Sequence, residues 1–150
     1  MIGSQAVLGQ FPNAPEELLV SIEADVFPKE KPDLSIQIDG AIGELSPFHQ
    51  TFGYYAHGVD ETTATLPFGW KDRLVPVFNE NTGGTTGWCL EVHDLAAAKL
   101  AAGRPKDLDF VRVLRRRRMV DFAKLRQRCE QLSLSPDRQE AMAARLERLA

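Results

Sequence analysis

Val20, Ile22, Ala24 and Val26 alternate with Ser21, Glu23 and Asp25. That two-residue period predicts a strand over about residues 18–27, ended by Pro28. Looser versions of the pattern predict a strand in "TFGYYAHGV" (51–59) and a short partner in "TTATLP" (62–67), joined by a turn around Gly58-Val59-Asp60. Two more strands are predicted in "WKDRLVPVFN" (70–79) and "GWCLEV" (87–92), flanking the turn-rich "ENTGGTTG". Upstream, "QAVLGQF" reads as a short helix or turn closed by Pro12, Asn13 and Pro15. The spacing of Leu34, Ile36 and Ile38 predicts a short helix ending at Gly40 or Gly43.

From Asp94 onward the period changes. "HDLAAAKLAAG" predicts a helix with Asp94 as N-cap and Gly103 as its stop. Pro105 opens a second helix that carries Leu108, Val111 and Leu114 on one face. "DFAKLRQRCEQL" supplies a third, and Ser135-Pro136 opens a fourth through "DRQEAMAARLERL". Strands first and helices later make the class α+β, a mixed sheet followed by a C-terminal helical segment. The 150 residues suit one domain, with residues 1–93 mainly sheet and 94–150 helical.

Composition narrows the function classes. The chain is 43% hydrophobic and 26% charged, ordinary for a globular protein. No apolar run approaches the ~20 residues of a membrane span, and the N-terminus lacks the basic start and apolar core of a secretory signal. Cys89 and Cys129 are too few and too far apart for a disulfide framework or a cysteine-based zinc site. A cytoplasmic protein without membrane contact is the expectation. The net charge of −3 conceals a division: residues 1–103 carry 5 Lys+Arg against 14 Asp+Glu, and residues 104–150 carry 13 against 7. Such blocks suit a basic surface that meets phosphates and an acidic region that holds metal.

The acidic pair of the first strand needs explaining, because like charges on one strand face repel. Gly3-Ser4, then Glu23-Ala24-Asp25-Val26, then "DLAAAKLAAGRPKD" resemble, in that order, the nucleotidyltransferase superfold of the polymerase-beta type. The closer resemblance is to a bacterial family of nucleotidyltransferase-like proteins related to the abortive-infection type IV toxins. The resemblance implies an enzyme that transfers a nucleotidyl group from a nucleoside triphosphate to a hydroxyl acceptor, with Mg²⁺ held by Glu23 and Asp25. Two such ions would polarise the α-phosphate and activate the attacking hydroxyl. It implies that Gly3 and Ser4 approach the phosphates, while Lys99, Arg104 and Lys106 neutralise the leaving pyrophosphate and Asp107 orients one of these cations. It further implies RNA, such as tRNA, as acceptor, an antitoxin protein as partner, and an upstream helix and strand that this chain lacks. The third carboxylate of the pattern has three candidates here: Asp72, Glu91 and Asp94.

Two rival functions follow from the same residues. One is a catalytically inactive module of the same fold that binds a nucleotide or a protein. The other is a nucleic-acid-binding protein that uses its basic C-terminal helices, with "VLRRRRMV" (113–120) as the contact. Four consecutive arginines on a helix face all sides, so one of them lies near the core with its stem buried. The three histidines are scattered, His93-Asp94 lacks partner histidines, and His49 reads as a packed loop residue. Neither a G-x-S-x-G elbow nor a P-loop is present.

Overall fold

The computed structural model describes residues 1–149. The chain divides into two compact units, one of residues 1–63 with 75–90 and the other of residues 64–74 with 91 onwards. Small sheets and several helices give the α+β class that the patterning predicts.

In the first unit, β1 (Glu23–Val26) pairs in parallel with β2 (Tyr55–Gly58). Parallel neighbours need a crossover, and here α1 (Ser35–Ile42) and α2 (Pro47–Phe52) supply it. Ser46 caps α2 by accepting from the His49 backbone N–H, Pro47 occupies its first turn, and Gly53 ends it at φ 75°. Those caps place His49, Thr51 and Phe52 on a helix, correcting the loop and the early strand that alternation predicts there. The predicted partner at 62–67 forms no strand, because β2 takes β1 as its neighbour instead. The acidic strand is also shorter than expected: residues 16–18 form a 3₁₀ turn, and pairing with β2 begins only at Glu23.

Gly58 lets α1 approach β2: a Cβ there would overlap the backbone of Ser35. Its N–H donates to Asp39 Oδ1 at 2.8 Å. A second, antiparallel pair joins β3 (Val75–Val77) to β4 (Gly87–Cys89) around a 3₁₀ turn capped by Asn79. Met1 and Ile2 lie between the two pairs, with Ile2 donating to the Asp25 carbonyl and Leu90 donating to the Met1 carbonyl, both at 3.0 Å.

The second unit is helical around α3 (Val92–Ala102), whose residues from Val92 to Ala101 are all buried. An apolar, alanine-rich helix of that kind belongs at a centre. It packs against α4 (Pro105–Arg116), α5 (Phe122–Glu130) and α6 (Pro136–Glu147). Leu95, Leu100, Val111, Leu114, Leu125 and Leu146 fill the core. Arg145 occupies the space that a side chain at Gly103 would need and donates to the Leu100 carbonyl at 2.6 Å, closing the end of α3.

Asp94 is not the cap of α3. Glu91 takes that role, accepting from the N–H groups of His93 and Asp94, which leaves Asp94 facing inward. Its carboxylate, fully buried, accepts from Arg73 Nε at 2.8 Å and Nη2 at 2.9 Å, and Arg128 Nε lies 3.1 Å away. His93 is structural as well. Its Nε2 accepts from the Asp121 N–H at 2.9 Å, so Nδ1 carries the proton toward Glu91 Oε1 at 2.6 Å. Both cysteines are free and buried, and burial pushes the Cys129 thiol up to about 12. No helix among the described residues is long and apolar enough to cross a membrane.

Two stability predictions follow from these contacts. Gly58→Ala forces α1 away from β2 and lowers stability by about 1–3 kcal/mol. Asp94→Ala strands two half-buried guanidinium groups and lowers it by about 3–5 kcal/mol. Urea denaturation of each variant measures both.

Candidate metal centre

Parallel pairing sets Glu23 beside Tyr55 and Asp25 beside His57. Residues two apart on a strand share a face, so all four side chains project from one side of the β1–β2 pair. His57 Nδ1 lies 3.1 Å from Glu23 Oε1 and 3.7 Å from Asp25 Oδ1. One ligand atom from each of Glu23, Asp25 and His57 falls within 4.8 Å of the others. The side chains keep 36%, 30% and 50% of their surface exposed in that order, so a ligand reaches them from solvent.

Two further acids face the same opening. A cleft of about 290 Å³ is lined by Glu23, Asp39, Glu44, Tyr55 and His57. Asp39 comes from α1 and Glu44 from the turn after it. The Tyr55 phenol is pushed above its ordinary range, first by desolvation and then by the carboxylates of Glu23, Glu44 and Asp25. Gly3 backs the centre, since any side chain there would collide with the Asp25 carboxylate. Ser4 follows it at the start of a short 3₁₀ turn, Ser4–Gly9.

The donor set fits a divalent cation. Two carboxylates suit a hard ion such as Mg²⁺, and the imidazole adds a nitrogen that Mn²⁺ or Zn²⁺ accepts more readily. Glu23 and Asp25 were legible from alternation. His57 was not, because its place beside Asp25 depends on a pairing register that its own segment does not encode. Asp39 and Glu44 carried only the weak signal of acids around a short helix.

The downstream residues form a cluster inside the second unit. Lys99, 9% exposed, donates to Asp107 Oδ1 at 3.0 Å and stands 4.5 Å over the Phe110 ring. Arg104 donates to the same carboxylate, with its Nε at 2.6 Å, and Lys106 is exposed. Burial opposes ionisation of Asp107, but hydrogen bonds from Arg104 and Lys99 outweigh it and hold its carboxyl below the usual range. Burial lowers Lys99 more than its ion pair raises it. Glu91 and Asp94, both candidates for a third carboxylate, are bound within this unit by His93 and by Arg73 with Arg128.

A depressed carboxyl stabilises the fold above its unfolded pKa, about 3.9, and that contribution is lost as pH falls through the folded value. Asp107→Asn therefore lowers the urea midpoint at neutral pH, and its gap from the unmodified protein narrows below about pH 4. A gap that stays constant with pH contradicts the assignment.

Comparison with known proteins gives one match. Residues 16–148 match the model of the family described as "Nucleotidyltransferase of unknown function (DUF6036)". No curated protein and no solved structure matches the chain. The match spans β1 through α6, and with it Glu23 and Asp25. The chain belongs to this nucleotidyltransferase family of unknown function.

Proposed function

We propose that the protein is a nucleotidyltransferase that moves a nucleotidyl group from a nucleoside triphosphate to a hydroxyl acceptor, with a divalent cation held by Glu23 and Asp25. The observation that carries this reading is the convergence of Glu23, Asp25 and His57 ligand atoms within 4.8 Å at a solvent-open cleft. When bound, the cation neutralises triphosphate charge and polarises the phosphorus under attack. Glu23 and Asp25 supply its oxygen ligands, and the bare backbone at Gly3 leaves room for the Asp25 carboxylate itself. Tyr55 and His57 line the cleft where the nucleotide would lie.

The alternative is a module that binds a nucleotide without turnover. One contact favours it: His57 already lies against both acids and serves as their counter-ion when protonated.

Label transfer from an α-phosphate-labelled nucleoside triphosphate separates the two, run with Mg²⁺ and with Mn²⁺ against a pool of RNA acceptors. The expected result is transfer that falls by at least roughly a hundredfold in Asp25→Ala. Calorimetry should show weakened Mn²⁺ binding in the same variant while its melting temperature holds. Nucleotide binding without transfer establishes the module, and full activity in Asp25→Ala overturns both the metal centre and the reaction.

A further inference from the structure

The link between α4 and α5 is strongly basic. From Phe110 to Cys129 eight Lys and Arg residues stand against a single acid, Asp121. Asp121 is itself engaged, capping α5 by accepting from the Lys124 N–H at 2.7 Å. Some of the cations serve the fold. Arg128, half-buried, pairs with Asp94, while Arg112 pairs with Asp109 and Arg126 with Glu147, both on the surface. Surface pairs of that kind exchange readily for phosphate. The side chains of Arg118 and Lys124, both exposed, make no hydrogen bond or ion pair among the described residues.

Two observations go beyond charge. Phe122, half-buried at the start of α5, carries Arg115 at 5.2 Å and Arg126 at 5.5 Å from its ring centroid. An aromatic ring combined with guanidinium groups is the platform on which unpaired bases stack. The second concerns the backbone. Arg118 sits at φ 57°, just past the end of α4, where Met119 N–H closes onto the Leu114 carbonyl at 2.9 Å. Glycine is the residue that such a left-handed helix stop favours. Arginine at that φ meets a steric cost that glycine avoids.

We infer that the α4–α5 link, through Arg115, Arg118, Phe122, Lys124 and Arg126, is a binding surface for single-stranded nucleic acid. The cations contact phosphates and Phe122 stacks on a base. This surface lies within the second unit and does not depend on the transfer reaction proposed above.

Fluorescence anisotropy with a labelled oligouridylate of roughly 12 nucleotides tests it. The logarithm of affinity should fall linearly with the logarithm of salt between about 50 and 200 mM, by about 0.7 for each phosphate contacted. Arg118→Gly should weaken binding at low salt and shallow that slope by about 0.7, while its melting temperature stays the same or rises. Phe122→Leu should weaken binding about fivefold or more and leave the slope unchanged. The inference is overturned by absent binding at low salt, or by unchanged affinity in Arg118→Gly. It is equally overturned by a duplex RNA or a polyglutamate peptide binding as tightly.

Discussion

Electrostatic repulsion at the β1–β2 face is the constraint on which the candidate centre depends. Glu23 and Asp25 share that face because they are two residues apart on a strand, and Asp39 and Glu44 line the same cleft. Two like charges about 4 Å apart at a protein surface repel by roughly 4 kcal/mol at an effective dielectric near 20. The His57 imidazole lies against Glu23 and Asp25, and the Met1 ammonium also acts on Asp25. Gly3 follows the same logic, because a side chain there would displace the carboxylate that the centre needs.

The second unit handles its buried charges in the opposite way. Asp94 is matched by Arg73 and Arg128, and Asp107 by Lys99 and Arg104, each within the unit. Buried ions are tolerated when their partners and hydrogen bonds are complete, and removing one partner is costly. These pairs anchor α3 to its neighbours. Lys99 shows the difference most clearly: resemblance assigns it to a triphosphate, whereas its ammonium is committed to Asp107 and the Phe110 ring.

The helical half was largely legible. Pro105, Gly103, Ser135-Pro136 and the apolar spacing of α4 to α6 marked those helices, because a helix is governed by residues within four positions of one another. Two readings there failed: Glu91, three residues before Asp94, caps α3 in its place, and α4 stops at Arg116, so the four arginines do not all lie on a helix. The sheet region was harder. Phe52 and Tyr54 read as a continuous strand, but Ser46, Pro47 and Gly53 close a helix over part of that run.

From the sequence alone came the acidic pair, its shared strand face, the basic C-terminal half and the α+β class, all of which rest on local periodicity and charge counting. Tertiary structure decided that β2 lies parallel to β1 and delivers His57 beside Asp25, that Asp39 and Glu44 join the cleft, and that Lys99 is buried on Asp107. Strand pairing and ion pairing join residues far apart in the chain, with partners chosen by the whole packing arrangement. No local pattern records that choice.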